Sequence, residues 1–321
     1  MAIDKNSNED LKKQLEQFHD ELISYKADVE TYFDSTNFLL KSSFLDHEIN
    51  KPKTLLNYLQ ELSLELLVFV KNVCEKYDIS WWLDFGNLLG AVRHGGYVPW
   101  DDDVDIGMMR EEYLKFDEII ITEVKNNDLS DIIEVGYRPF RPGIPKFTQV
   151  YVRHELASSN GRKLVLGNVD VFPYEYINEY DENTIEEVYS EAKNRYLYHR
   201  SRDYNSKFCF DTYYDDLNLS WKPTDYIIPG WENPCTPDDM YKLFVIKTED
   251  IFPLKSIKFE NIDFPCPNNV DSLLSKEYND YMNIPKNLRK HDNMNFFRYN
   301  TDNNEVFTKC LTRLKEVNEN F

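Results

Sequence analysis

The sequence predicts an α+β (α/β-like) fold in which a mixed sheet is flanked by helices, with a helical N-terminal extension in front of it. Two amphipathic helical patterns come first, over 11–32 and 55–77. From Trp81 onward the pattern changes to short strands and turns, beginning with "WWLDFG" (81–86) and a short helix over 88–93. A strand–helix–strand beginning with further strands later in the chain is typical of this class of domain.

The first helical pattern is a heptad seam, in which apolar residues recur at alternating steps of four and three. It predicts either an amphipathic helix that packs on its own protein or a coiled coil that joins two copies of the chain. The seam consists of Leu11, Leu15, Phe18, Leu22, Tyr25, Val29 and Tyr32.

Periodicity places the remaining elements as well. Strand patterns fall at 103–109, 146–156 and 168–177. Helical patterns fall at 110–121, 183–204, 269–282 and near 303–318. Loops rich in proline and aromatic residues are expected over 221–267. The chain is therefore divided into a helical extension (1–50) and a folded domain (51–321).

Composition and charge exclude several classes of function. The formal net charge of −20 argues against broad nucleic-acid binding and against a polybasic membrane anchor. The chain has no apolar run long enough for a transmembrane segment and no signal-peptide pattern at its amino terminus. Its five scattered cysteines predict reduced, mostly buried thiols. We expect a cytoplasmic protein, with peripheral attachment to the inner face of the membrane as an alternative.

The stretch "GAVRHGGYVPWDDDVDIGMM" (90–109) places four aspartates in five positions. If this stretch is extended, Asp101, Asp103 and Asp105 share one face and Asp102 takes the other. Carboxylates on one face can close on a single Mg²⁺, with Mn²⁺ as an alternative, whereas without a cation they repel one another. The stretch therefore predicts a strand that holds a divalent cation.

Two other interpretations of the acidic stretch are less favourable. A calcium loop starting at Asp101 requires glycine at its sixth position, which is Ile106, and Gly107 comes one residue late. A solvated acidic turn leaves the alternating Val104, Ile106 and Met108 without a buried face.

Directly upstream, Gly86 and Asn87 open the short helix. Backbone N–H groups at a helix start bind phosphate groups. By itself, however, a Gly-Asn pair at this position is as often part of a plain turn between a strand and a helix. A phosphate-binding helix start beside a metal-binding DxD motif is the layout of nucleotidyltransferase-type active sites.

Three segments in order resemble the LicD/fukutin-related phosphotransferase family. The first, "FGNLLGAVRHGGYVPWDDDVDIGMMREEYLKF" (85–116), closely resembles the family signature. "NVDVFPYE" (168–175) resembles its IDIFP strand, and "IFPLKSIKFENIDFPCPNNVDSLLSKEYNDYMNIP" (251–285), followed by His291, resembles a later segment of the family pattern. The resemblance covers roughly 55–292 and leaves the N-terminal 50 residues outside.

The resemblance implies a nucleotidyltransferase-type fold and a reaction. A phospho-alcohol, such as phosphocholine, passes from a CDP-linked donor to a sugar hydroxyl of a glycan or a lipid-linked glycan precursor, with Mg²⁺ as cofactor. By position, Asp103 and Asp105 become metal ligands and Asp101 an additional ligand or a neighbouring carboxylate. Asp170 either completes the metal site or takes the acceptor's proton.

The same resemblance assigns Gly86, Asn87 and Arg93 to the donor's diphosphate. The chain departs from the family pattern at Asn87, where Ser or Thr is commoner, at Asn279, which replaces Gly, and at Gln149, where Lys is often found.

Two other functions stay open at this point. One is a DxD glycosyltransferase that uses a nucleotide-sugar, and the other is a non-catalytic scaffold that acts through the N-terminal helix.

Overall fold

The computed structural model describes residue 26 and residues 55–138, 147–154, 164–202, 204–233, 243–283 and 304–321. Apart from Lys26 and Asn283, these residues belong to one compact unit formed by Lys53–Met282 and His291–Phe321. The heptad seam over 11–32 lies outside the described residues except for Lys26, which is helical. The predicted boundary between the extension and the folded domain also lies outside them.

Helices and short strands alternate along the described chain. The helices are α1 (Leu55–Lys76), α2 (Phe85–His94), α3 (Arg110–Asn126), α4 (Ile185–Ser201), α5 (Ser206–Asp216), α6 (Thr248–Ile251), α7 (Val270–Tyr278) and α8 (Asn304–Glu319). The strands are β1 (Trp82–Leu83), β2 (Asp105–Met109), β3 (Ile133–Arg138), β4 (Phe147–His154), β5 (Leu164–Ile177), β6 (Leu219–Ser220), β7 (Tyr226–Pro229), β8 (Ile246–Lys247), β9 (Lys255–Phe259) and β10 (Ile262–Cys266).

A mixed sheet of eight strands, counted over the described residues, organises the fold. Its main path runs β1-β2-β5-β4-β3, while β6 and β7 also pair with β5 and β8 pairs with β7. Strands β2 and β5 are parallel, with Asp105 opposite Asp170 and Met109 opposite Tyr174. The neighbouring pairs β1–β2 and β5–β4 are antiparallel. The long strand β5 therefore joins the two halves of the sheet at the point where the aspartates lie.

Helix α1 covers one face of the sheet because its apolar residues recur at helical spacing. Leu59, Leu62, Leu66, Phe69 and Val73 are all at most 2% exposed. Burying a leucine or phenylalanine of this kind contributes about 1.5–3 kcal/mol relative to leaving it in water. Helix α1 also packs against α8 and β5. Among the described residues, no helix combines the length and the apolar character that crossing a bilayer requires.

The structure confirms the α+β class and corrects several elements. The loop expected over 221–267 was wrong, because this region contains β7, β8, α6 and the β9–β10 hairpin. These strands are only two to five residues long, too short for an alternating pattern to stand out. The strand predicted from 103 begins at Asp105, and residues 101–104 have no regular secondary structure. The four described cysteines are free and buried, as expected: Cys74, Cys209, Cys266 and Cys310.

Candidate metal site

Three of the predicted carboxylates meet where β2 and β5 run side by side. Asp105 begins β2 and lies opposite Asp170 of β5, so adjacent parallel strands bring the two residues next to each other. Asp103 reaches the same place from the segment that precedes β2. The three residues offer carboxylate oxygens that all lie within 4.8 Å of one another. The structure thus brings Asp103, Asp105 and Asp170 together into one candidate cation site.

A second group of carboxylates adjoins the first. Asp101, Asp102 and Asp103 also offer oxygens within 4.8 Å of one another, so Asp103 belongs to both groups. The expectation that Asp102 faces away from Asp101 and Asp103 was wrong, because residues 101–104 are not a strand and period-two geometry does not apply to them. All three residues are buried.

Hydrogen bonds from a distant helix fix the aspartate segment. The Gln60 side chain on α1 donates from Nε2 to the Asp101 carbonyl oxygen at 2.8 Å. The Tyr97 hydroxyl donates to the Gln60 carbonyl oxygen at 3.0 Å. The Asp101 N–H donates to the Val98 carbonyl at 2.9 Å, which closes a tight turn. These three hydrogen bonds help to hold the backbone that carries the carboxylates, and none of the three uses a carboxylate oxygen.

The electrostatics of the cluster favour a bound cation. Burial, together with the charges of Asp103 and Asp170, raises the pKa of Asp105 well above its usual value. A divalent cation offsets this repulsion and allows neighbouring carboxylates to stay ionised. The donor set consists of carboxylate oxygens, which are the ligands that Mg²⁺ and Mn²⁺ prefer. The residues present therefore fit the cofactor that the sequence predicts, and its identity stays a prediction.

Two amide side chains orient Asp170. Gln149 Nε2 and Asn168 Nδ2 both donate to Asp170 Oδ1, at 2.5 and 3.0 Å. Gln149 lies opposite Asp170 on β4, and Asn168 lies two residues before Asp170 on the same face of β5. Sequence reasoning assigned no role to Asn168, although its period-two spacing from Asp170 is the signal that would have found it. Both donors are neutral, so they position the carboxylate without adding a positive charge that would compete with a cation.

The start of α2 lies directly against the aspartates. A Cβ added at Gly86 would come within 2.4 Å of Asp101 Oδ2, so only glycine allows this approach. Asn87 Oδ1 accepts the Asp105 N–H at 2.6 Å. Asn87 Nδ2 is buried and has no hydrogen-bond partner among the residues that the structure describes. Gly86 and Asn87 thus border the cluster, while their contact with a diphosphate stays a prediction.

Arg93 lies at the other end of α2. Its Nη1 donates to the Tyr281 carbonyl at 2.9 Å and its Nε donates to His94 Nε2 at 3.0 Å. Burial lowers the pKa of the Arg93 guanidinium. These contacts connect α2 to the residues that follow α7, and the contact of Arg93 with a donor diphosphate stays a prediction.

A buried pair of carboxyl groups, which the sequence did not reveal, supports the start of α2. Asp84 directly precedes α2, and its Oδ2 accepts the Tyr174 hydroxyl at 2.7 Å. Asp84 Oδ1 and both carboxyl oxygens of Glu277 on α7 are buried without a hydrogen-bond partner among the described residues. The two carboxyl groups influence each other's pKa, and they can hydrogen-bond each other only if one of them carries a proton. Burial raises the pKa of Asp84 to about 6, and burial and the Asp84 charge raise the pKa of Glu277 well above its usual value. Because two buried charges side by side are unfavourable, the pair favours a single shared proton.

A mixed sheet with buried carboxylates on adjacent strands and a helix start beside them is the layout expected of a nucleotidyltransferase-type domain. Residues 78–218 match the nucleotidyltransferase domain of the LicD/FKTN/FKRP family. This match confirms the resemblance to the family that the sequence indicated, over these residues.

Proteins named as phosphotransferases are similar to the chain, one over most of its length and two over a short segment. The lipopolysaccharide cholinephosphotransferase LicD of Haemophilus influenzae is 26% identical over 253 residues, which cover 70% of this chain and 91% of that protein. The ribitol 5-phosphate transferase FKRP of human and of mouse is 48% identical over 44 residues, which cover 14% of this chain and 9% of those proteins.

Proposed function

We propose that this protein transfers a phospho-alcohol from a CDP-linked donor to a sugar hydroxyl of a glycan or a lipid-linked glycan precursor, with release of CMP. The observation that carries the proposal is the meeting of Asp103, Asp105 and Asp170 within 4.8 Å beside the start of α2. The names of the relatives support the reaction class, since one is a cholinephosphotransferase and another a ribitol 5-phosphate transferase. The proposed cofactor is Mg²⁺ or Mn²⁺.

The donor end of the proposed reaction uses the carboxylates and the helix start. Asp103, Asp105 and Asp170 would hold the cation, with Asp101 close enough to join them. When bound, the cation offsets the negative charge on the diphosphate oxygens and on the departing CMP. The N–H groups at the start of α2 and Asn87 Nδ2 would donate to the same diphosphate. Gln149 and Asn168 keep the Asp170 carboxylate in one orientation during the reaction.

The acceptor end completes the displacement. The sugar hydroxyl oxygen attacks the outer phosphorus, the new P–O bond forms as the bond to CMP breaks, and the hydroxyl proton passes to a carboxylate. Asp170 is the proposed recipient of that proton when the cation is held mainly by Asp103 and Asp105.

The reaction is tested by incubating purified protein and Mg²⁺ with CDP-choline, CDP-glycerol and CDP-ribitol and by measuring CMP release. Asp103→Asn and Asp105→Asn are expected to lower CMP release at least about 100-fold, because each removes a charged cation ligand. Both variants should also lose the rise in melting temperature that Mg²⁺ gives the native protein, a readout that does not depend on turnover.

Asp263→Asn is the matched control, since Asp263 is an exposed residue of the β9–β10 hairpin whose carboxylate pairs with the surface side chain of Lys258 at 3.1 Å. It should leave CMP release and the Mg²⁺ response unchanged. Full CMP release by Asp103→Asn would disprove the catalytic assignment of this site. Turnover of nucleotide-sugars in place of the CDP-alcohols would favour the glycosyltransferase alternative. Release from none of the donors would point to another donor class or to a missing acceptor.

A further inference from the structure

A pocket with a volume of about 200 Å³ lies where β2 ends, at the other end of that strand from Asp105. Met109, which ends β2, and its partner Tyr174 on β5 both line it. Four residues of strand separate this pair from the pair of Asp105 and Asp170, which is about 13 Å along the sheet. We call this cavity the β2–β5 pocket, and the proposed reaction does not use it.

Buried side chains fill the space between the pocket and the aspartates. The Trp82 ring packs directly against Gly107, midway along β2, and is 0% exposed. On β5, the Phe172 ring packs edge-on against Phe85 with 5.2 Å between centroids. The β2–β5 pocket is therefore a site of its own and not an extension of the candidate metal site.

Aromatic rings form much of the pocket wall: Tyr174, Tyr176, Tyr214, Trp221 and Phe252. Trp221 is 51% exposed, and its ring is stacked on Tyr214 with 4.9 Å between centroids. The Tyr214 hydroxyl in turn donates to Glu175, a buried residue of β5. The exposed Trp221 ring is thus supported by a stack that ends in a buried hydrogen bond.

Two carboxylates at the start of α3 line the same pocket. Burial first, and then the charges of Glu111 and Glu112, raise the pKa of Tyr176, so these carboxylates lie close to a ring of the pocket wall. Glu112 Oε2 is buried and has no hydrogen-bond partner among the described residues. Burial also raises the pKa of Glu112. An ionised carboxylate in such surroundings is stabilised by a cation beside it.

The basic side chains near the pocket are already engaged. The Arg110 guanidinium donates to Glu175 at 2.7 Å and to both carboxylate oxygens of Glu232 at 2.7 Å. When both carboxylates are ionised, this buried group of three carries one negative charge. Lys115, whose charge acts on the start of α3, donates from Nζ to the Asp78 carbonyl at 3.0 Å.

The net charge of the pocket is therefore negative. Of the described residues that line it, Arg110 is basic and three are acidic: Glu111, Glu112 and Glu175. Lys222, which follows Trp221, is exposed and does not line the pocket. A diphosphate or another anion is disfavoured here, whereas a cation is attracted both by the carboxylates and by the aromatic rings.

We propose that the β2–β5 pocket binds a small organic ammonium ion. Glu112 supplies the opposite charge, and Trp221 and Tyr176 supply the aromatic rings, a combination that recognises alkylated ammonium groups. The volume suits a small ligand, since pockets for drug-sized molecules measure about 300–1,000 Å³.

The bound ion is distinct from the alcohol of the proposed donor. Four bonds of about 1.5 Å each separate phosphorus from nitrogen in a phosphocholine group, which therefore spans at most about 6 Å. The pocket lies about twice as far from the aspartates, beyond the buried Trp82 ring. The proposal consequently does not depend on the proposed function.

The test is ligand-detected NMR on the purified full chain with tetramethylammonium chloride, compared with tert-butanol as a neutral molecule of similar shape. We expect the dissociation constant for tetramethylammonium to be at least about tenfold lower than that for tert-butanol. Trp221→Ala and Glu112→Gln should each raise it at least about fivefold, because the first removes a ring and the second removes the charge. Potassium chloride at the same concentration should not displace the ligand, because a potassium ion gains less from the apolar rings.

Phe208→Ala and Glu316→Gln are the matched controls, since both residues are exposed and neither lines the pocket. They should bind tetramethylammonium within about twofold of the native protein, and so should Asp103→Asn, whose loss of CMP release tests the proposed function separately. Melting temperatures verify that each variant is folded, and Trp221 is exposed, so we expect a small change there. Equal binding of tert-butanol, displacement by potassium, or unchanged binding of Trp221→Ala or of Glu112→Gln would each overturn the proposal.

Discussion

The buried pair of Asp84 and Glu277 predicts that Glu277→Gln stabilises the protein more strongly as the pH rises. In the native protein a hydrogen bond between the two carboxyl groups needs one proton on the pair. In the variant the glutamine Nε2 donates to Asp84 without any proton. Asp84 keeps its second hydrogen bond, from the Tyr174 hydroxyl.

The magnitude follows from the proton that folding must take up. A glutamate in the unfolded chain has a pKa of about 4.3, whereas the pKa of Glu277 in the folded protein is raised. The stability that protonated Glu277 contributes is therefore complete when the pH is below the unfolded pKa. It is lost as the pH rises toward the folded pKa. Within that window each pH unit removes about 1.4 kcal/mol from the free energy of unfolding. The advantage of Glu277→Gln over the native protein should therefore grow as the pH rises from 5 toward the raised folded pKa of Glu277, by up to about 1.4 kcal/mol per pH unit.

The assay is urea unfolding followed by tryptophan fluorescence at about pH 5, 6 and 7, for the native protein, for Glu277→Gln and for Glu316→Gln. Glu316 is an exposed residue of α8, so the same change of side chain there should leave the pH dependence unaltered. Titrating groups remote from the pair are common to the native protein and the variant and cancel in the comparison, whereas the titration of Asp84, which interacts with Glu277, is part of the measured effect. A difference between Glu277→Gln and the native protein that stays constant over this range would refute the shared proton.

Two substitutions separate the roles of the carboxylates. Gly86→Ala should push the Asp101 carboxylate aside. If Asp101 is a cation ligand, this variant should show a smaller Mg²⁺-dependent rise in melting temperature than the native protein. An unchanged Mg²⁺ response would assign the cation to the other carboxylates. Gln149→Leu removes the 2.5 Å hydrogen bond to Asp170, and we expect Mg²⁺ affinity, measured by calorimetry, to fall about 10-fold or more. Unaltered affinity would show that Asn168 alone orients Asp170.

The sequence predicted the elements whose signals are local and continuous. The α1 pattern predicted a helix to Tyr77, and the helix ends at Lys76. The acidic stretch predicted that Asp103 and Asp105 lie together, and the distant Asp170 was matched through the family resemblance. The pairing of Asp105 with Asp170 across parallel strands is a long-range contact, which no local periodicity contains.

The errors have a common physical cause. The strand was extended back to 103 because alternating apolar residues continue through Val104, yet the chain there is shaped by the turn at Val98 and by the Gln60 hydrogen bond. The Asp84–Glu277 pair joins residues almost two hundred positions apart, and each looks like an ordinary charged residue in its own segment. Only the folded chain shows that burial makes them share a proton.

The contacts around the candidate site indicate that residues 78–218 are not sufficient to build it. Gln60 of α1 holds the backbone of Asp101, and Glu277 of α7 holds Asp84 at the start of α2, although both lie outside the segment that matches the family domain. Arg93 is likewise engaged by the Tyr281 carbonyl. The similarity to the Haemophilus influenzae protein extends over 70% of the chain, well beyond those residues. The structural surroundings of the candidate site therefore extend from α1 through α7, because residues of both helices contact the segments that carry its side chains.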